Sequence, residues 1–239
     1  MAAPELAIDT ASIVIKGKLE PAKLSPKELV KQGLVTTNEV AEANQKFSND
    51  DVSILETSRM RFVANRDTIQ LTAQLAEEFE TMRDFAIGML RLFTSETIGV
   101  MGINREVHFT TPSTSSWHSI GDTLVPKDVW SGVLEVAGMA SVTLLASRSD
   151  KYVGYRQITV QPSNLVTQGV FVSHNDHYTL DIADKPVATR EQIAAETRKP
   201  LKLSTEKVGT AITVLNNEWE NSMNRSSSVI ERVAQTAKS

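Results

Sequence analysis

The sequence contains no cysteine. That removes disulfides, thiolate metal sites and a cysteine nucleophile, and leaves the redox compartment open. Aromatic residues make up only 5% of the chain, so there are few platforms on which nucleic-acid bases could stack. A net charge of -4 without a local basic patch gives no broad attraction for phosphates, which argues further against nucleic acid. No segment approaches the ~18 consecutive apolar residues of a bilayer span. Met1 to Lys18 lacks a charged region followed by an apolar run, so the expectation is no signal peptide and a cytoplasmic protein. Also missing are a dinucleotide-binding glycine fingerprint, a phosphate-binding Gly-x-x-x-x-Gly-Lys-Ser/Thr loop and a Gly-x-Ser-x-Gly nucleophile elbow. Gly99 and Gly102 fall inside a predicted strand, where they permit a bulge or a close helix approach.

What is present is a globular composition, 41% hydrophobic and 23% charged over 239 residues, enough for one large domain or a core with appendages. The periodicities predict an α+β fold: a mainly antiparallel sheet with helices packed on one face and a helical C-terminal segment. Residues 1–50 read as an N-terminal strand (Ser12 to Lys16) and short helices, one opened by Ser25-Pro26 and stopped at Gly33, a second over Asn38 to Lys46. Phe47 to Asp51 reads as a turn.

Residues 51–188 read as the antiparallel core. Arg61 to Ala64 and Thr68 to Thr72 form a hairpin around Asn65-Arg66-Asp67. Leu75, Phe79, Met82, Ala86, Met89 and Phe93 recur at steps of three and four and predict a helix that packs on the sheet. Thr97 to Thr110 is a two-faced strand, with Met101, Ile103, Val107 and Phe109 opposite Asn104, Glu106, His108 and Thr110. Arg105 interrupts the apolar side and must snorkel or meet a carboxylate. Pro112 to Ser116 reads as a mobile Ser/Thr loop, and Pro126 to Val136 as a helix stopped by Gly138. Three more strands cover Ser141 to Ser147, Tyr152 to Gln161 and Gly169 to Ile182, with a turn at Arg148-Ser149-Asp150. Trp117, Trp130 and Trp219 read as anchors to the core.

Residues 189–239 read as C-terminal helices. Thr189 and Gln192 have capping-box spacing for a helix ending before Pro200. A longer helix from Thr205 toward Ala234 carries a near-heptad seam of Val208, Ile212, Leu215, Trp219, Met223, Ile230 and Val233, with Ser226 filling the gap.

Two constellations could carry chemistry. His174, Asp176 and His177 offer imidazoles and a carboxylate to a metal. In a regular strand, however, His174 and His177 point to opposite faces, and the plain reading is a polar stretch. Second, His108-Phe109-Thr110 and His177-Tyr178-Thr179 are two His-x-Thr tripeptides 69 residues apart. On neighbouring strands His108, Thr110, His177 and Thr179 could converge, one imidazole taking a proton while the other donates one. This pattern resembles the two-histidine phosphoesterases, a resemblance confined to the tripeptides and lacking that family's duplicated helix-and-strand units. It implies phosphodiester cleavage of cyclic nucleotides or RNA ends. The competing reading is ordinary polar strand residues facing water.

The order of hairpin, amphipathic helix and long strand with Gly102-Ile103-Asn104-Arg105 resembles a family of uncharacterised bacterial proteins. Arg61 to Gln74, Leu75 to Phe93 and Ile98 to Phe109 carry that likeness. It implies a fold and brings no activity, cofactor or site residue. The leading expectation is therefore a non-enzymatic interaction or structural protein with no cofactor, self-associating or pairing with a helical partner through Val208, Ile212, Leu215, Trp219 and Met223. The alternatives are the phosphodiesterase and a small-ligand binder that uses the polar sheet face as a pocket wall.

Overall fold

The computed structural model describes residues 4–182 and 189–237. Its strands are β1 (Leu6–Lys18), β2 (Gln45–Ser48), β3 (Val52–Glu56), β4 (Arg61–Asn65), β5 (Thr68–Ala73), β6 (Thr97–Thr110), β7 (Val142–Ser147), β8 (Tyr152–Pro162) and β9 (Gly169–Ile182). Its helices are α1 (Pro26–Lys31), α2 (Thr37–Ala41), α3 (Phe79–Leu90), α4 (Thr114–Leu124), α5 (Arg190–Glu196) and α6 (Glu206–Ala234). Among the described residues the strands form one antiparallel sheet in the order β2-β3-β4-β5-β1-β6-β9-β8-β7. The expected α+β architecture is what the chain adopts. β1 lies near the centre, between β5 and β6, so the N-terminal segment belongs to the same sheet as the core.

Several local readings are corrected by the fold. The helix expected over Asn38 to Lys46 starts with a capping box of Thr36 and Glu39 but ends at Ala41. Lys46 and Phe47 instead pair with Leu55 and Ile54 of β3, a strand whose own signal is short. Here ladder hydrogen bonds outweigh a modest helix propensity. Pro112 to Ser116 opens α4, because Ser113 accepts a hydrogen bond from the Ser116 backbone N–H at 3.1 Å and caps that helix. The helix expected over Pro126 to Val136 shrinks to a 3-10 turn at Asp128–Trp130, after which Gly132 turns the chain with a φ of 79°. Trp130 is half-exposed there rather than an anchor, whereas Trp219 is buried and Trp117 donates to the Gly169 carbonyl at 3.0 Å.

One face of the sheet is dry. α3 lays Phe79, Met82, Ala86, Met89 and Leu90 on a cluster that includes Ile13, Ile15, Ile69, Leu71 and Ile103. Leu75, predicted to share that stripe, lies before the helix and is half-exposed. A second cluster joins Val107, Phe109, Val160, Val170 and Val172 to Ile120 of α4 and to Ile230 and Val233 of α6. α6 has 29 residues, roughly 43 Å of helix, and bridges both clusters. The bridging uses up its seam. Leu215, Trp219, Ile230 and Val233 are buried, and Val208, Ile212 and Met223 pack against the first cluster.

A polar layer lies where α6 passes from one cluster to the other. Arg105 donates to both oxygens of Asp9, at 2.9 and 2.8 Å, and to Ser227 at 2.8 Å and Ser226 at 3.3 Å. The seam gap at Ser226 thus admits a guanidinium. Beside it Asp176, with no exposed surface, accepts from Arg148 and Arg156 at 3.0 Å through one oxygen and from Arg225 of α6 at 2.8 Å through the other. The Arg148 guanidinium also sits 3.7 Å over the Tyr178 ring and donates to both oxygens of Asp150. Burial by itself would raise the Asp176 pKa, but the Arg148 and Arg225 charges outweigh it and hold the group at about 2.

Removing the carboxylate would strand buried guanidiniums. Asp176→Asn should cost about 3–5 kcal/mol in urea unfolding at neutral pH. Because the folded pKa lies below the ordinary 3.8, the stability that Asp176 adds is present above pH 3.8 and is lost as pH falls toward 2. The acid limb of the wild-type stability curve should therefore be steeper than that of the variant between those values. Equal stability of the two proteins at neutral pH would refute this account of the layer.

Candidate functional site

The opposite face of the sheet is polar and carries a cavity of about 880 Å³. Its floor is built by strand alternation: Ser12 on β1, Asn104 and Glu106 on β6, Tyr155 on β8, and Asn175, His177 and Thr179 on β9 point the same way. Register places Asn175 opposite Asn104 and Asn104 opposite Ser12. The Asn175 amide N–H donates to the Asn104 side-chain oxygen, and the Asn104 amide donates to the Ser12 hydroxyl at 3.2 Å. These bonds join three strands in one amide ladder. The remaining acceptor at its end, the buried Asn175 Oδ1, has no hydrogen-bond partner.

The wall is supplied by the chain after the sheet. α5 packs against β7 and β8, on the face away from the other helices, and residues 197–202 pass over the floor. The Thr189–Gln192 capping box expected from the sequence starts α5. At its end the Glu196 side chain, 7% exposed, takes Lys199 on one carboxylate oxygen, while its second oxygen is buried without a partner. Leu201 and Leu203 then cross directly over Gly99, where any Cβ would collide with the Leu201 side chain. Gly99 is thus a close-approach position, as its place inside a strand implied.

A bulge shapes the far end. Between the Tyr152↔Ile182 and Gly154↔Tyr178 pairs the register shifts, and Leu180 takes a φ of 60°. Gly154, with a φ of 145°, lies so near the His177 carbonyl that a Cβ there would overlap its oxygen. The distortion turns the Thr179 carbonyl and the Asp181 carboxylate onto the buried Lys207 amine, at 2.8 and 3.1 Å. Bulges of this kind commonly re-aim groups beside functional sites.

His177 stands in the middle of the floor. Its ring stacks on Tyr155 with centroids 4.5 Å apart and planes 20° from parallel. Burial, aided by the Arg148 and Lys16 charges, lowers its pKa to about 4, so at neutral pH the ring is uncharged and offers one donor and one acceptor. Burial likewise raises the Tyr155 pKa and keeps its hydroxyl protonated. The site can therefore grip a polar molecule through the neutral His177 ring, the Tyr155 hydroxyl and a rim that includes Lys16, Lys199 and Lys202.

The predicted site residues are distributed differently from the expectation. β6 and β9 are neighbours, but Gly102 stands opposite His177, and His108 lies six positions further along β6, opposite Phe171. At the strand rise this separates the two imidazoles by roughly 20 Å. His108 is buried against Phe171 and hydrogen-bonded to Ser163 at 2.7 Å, and burial lowers its pKa. Thr110 is exposed beyond it, and Thr179 donates to the Val153 carbonyl at 3.3 Å. His174 and Asp176 face α6 while His177 faces the cavity, so the candidate metal trio is split across the sheet. Among the described residues no group of three His, Asp or Glu side chains is placed to hold a metal ion. Tyr155, Glu196 and Lys207 carried no sequence signal, because only pairing register and chain return bring them to His177.

The depressed pKa of His177 makes a pH prediction. The unfolded chain takes up this proton near pH 6.5 and the folded chain only near 4, so the site's stability is intact above 6.5 and falls as pH drops toward 4. His177→Gln should flatten the stability curve over that window by up to about 3 kcal/mol, read by thermal or urea unfolding. Parallel curves for variant and wild type would show that the ring is not desolvated.

Comparison with protein-family models and with curated proteins finds no match to this chain. Its function has to be argued from its own geometry.

Proposed function

We propose that the chain is a non-enzymatic binding protein whose polar sheet face holds a small, uncharged or weakly charged molecule rich in hydrogen-bonding groups. The observation that carries this reading is a single cavity on the polar sheet face whose floor brings together the amides of Asn104 and Asn175, the Tyr155 ring and a neutral His177. A polar group left unmatched on burial costs about 1–3 kcal/mol, so such a floor favours a ligand whose own donors and acceptors pair with it. The volume lies in the range of small-molecule sites. Catalysis is not favoured, because His177 has no nucleophile hydrogen-bonded to it and no hydrogen-bonded side chain orienting its ring among the described residues.

The other readings find less support. A two-histidine phosphodiesterase needs His108, Thr110, His177 and Thr179 around one phosphate, and an offset of six strand positions offers none. Pairing through Val208, Ile212, Leu215, Trp219 and Met223 would have to pull α6 off the sheet. Among the described residues no helix is long and apolar enough to cross a membrane, in keeping with a role that does not span one.

The test is a thermal-shift panel of sugars and polyols, amines and amino acids, nucleosides and 2′,3′-cyclic nucleotides, followed by calorimetry. A true ligand at a hundredfold its Kd should stabilise the wild type by about 2.7 kcal/mol. The shift should disappear in Asn175→Leu and His177→Ala and persist in His108→Ala. A panel without hits, or hits that survive both cavity variants, would reject the site. Turnover of a cyclic nucleotide that is lost in His108→Ala would restore the phosphodiesterase instead.

A further inference from the structure

The two edges of the sheet are protected unequally. β2 is only four residues long and carries Lys46, whose amine is tied to the Val40 and Ala41 carbonyls. β7, at the opposite edge, is Val-Thr-Leu-Leu-Ala-Ser, six residues in unbroken register with β8, without a charge, proline or bulge. Among the described residues nothing pairs with its outer side. Natural edges are normally blunted by those devices, and an edge that lacks them is a template for another strand. Leu144 and Leu145 are both exposed, one on each face of the sheet. The loop that leads into β7 exposes five more large side chains: Val129 at 75%, Val133 at 76%, Val136 at 96%, and half-exposed Trp130 and Leu134. Single exposed apolar residues need no explanation, but leucines exposed along a strand whose edge is unpaired are a different case.

We infer that β7 is a homodimer edge, pairing antiparallel with β7 of a second copy so that the two sheets become one. An uncharged strand has no like charge to oppose when it meets itself, which makes this chain's own copy a fitting occupant. Face alternation restricts the register. A two-fold axis perpendicular to the sheet keeps each face on its own side, so only residues of equal parity can stand opposite each other. The axis therefore passes through Leu144 or Leu145 and sets that leucine against its own copy. Pairing is isologous and closes at two copies, whereas β7 against β2 would propagate into open fibres. This surface is separate from the ligand cavity, whose floor lies on β1, β6, β8 and β9.

The absence of native cysteine supplies a clean test on the full chain. Opposed residues of an antiparallel pair have Cα atoms about 4.5–5.5 Å apart, inside the range a disulfide spans. Under mild oxidation, either Leu144→Cys or Leu145→Cys should give a cross-linked dimer on a non-reducing gel, while Leu165→Cys, more exposed than either and on a loop, should give at least tenfold less. Light scattering should return twice the 26.3 kDa chain mass for the wild type and the single mass for Leu144→Lys/Leu145→Lys, with unchanged circular dichroism. A monomeric wild type with no cross-link from either cysteine overturns the inference. So does open-ended assembly, or cross-linking of the Leu165 control at the same rate.

Discussion

The buried carboxylate of Asp176 is the constraint around which the β6-to-β8 half of this fold is arranged. Three guanidiniums converge on it from the turn after β7, from β8 and from α6. A desolvated charge is tolerated only when its partners arrive with good geometry, so the strand register, the turn at Arg148 and the rotation of α6 are fixed together. An apolar cluster would accept several rotations of a long helix; a carboxylate with three required donors accepts few. The neighbouring Arg105–Asp9 pair adds β1 and β6 to the same set. The layer specifies the arrangement more than it strengthens it, and the apolar clusters on either side supply the driving force.

The cavity is a consequence of that arrangement on the other side of the sheet. Alternation sends Asp176 toward α6 and its neighbours Asn175 and His177 away from it. The same strand thus anchors a helix with one face and floors a pocket with the other. The bulge at Leu180 lets β9 leave its ladder, and the backbone oxygen so released holds Lys207 at the start of α6. Helix, bulge and pocket wall are therefore mechanically linked. His177 is kept neutral partly by Arg148, a member of the buried layer, so the two sides of the sheet also share electrostatics.

Much of the fold was legible because it rests on local patterns. The 14-residue β6, the hairpin of β4 and β5, the stripe of α3 and the capping box of α5 each carry their signal within a few residues. What was misread involved local signals that tertiary pairing overrode or that had two meanings. Gln45 and Lys46 favour helix yet yield to a ladder with β3. Ser113 serves a loop or a helix cap equally well until the next turn is seen. The candidate site was half legible: Asn104, Glu106, Asn175, His177 and Thr179 share a wet face by alternation alone. The shared use of His108 and His177 was not decidable, since parity says which face a residue takes but not how far along the sheet it lies.

By itself, then, the sequence determined the class of fold, the dry and wet faces of the sheet, and the absence of thiol chemistry, because these follow from composition and from periods of 2 and 3.6 residues. Only the tertiary structure decided that Asp176 is the centre of a buried ion layer, that the α6 seam is covered by its own sheet, and that Tyr155, Glu196 and Lys207 surround His177. The physical reason is the same in each case. Strand register and the return path of the chain are set by long-range pairing, and no local pattern encodes the distance between residues that meet only after the sheet has closed.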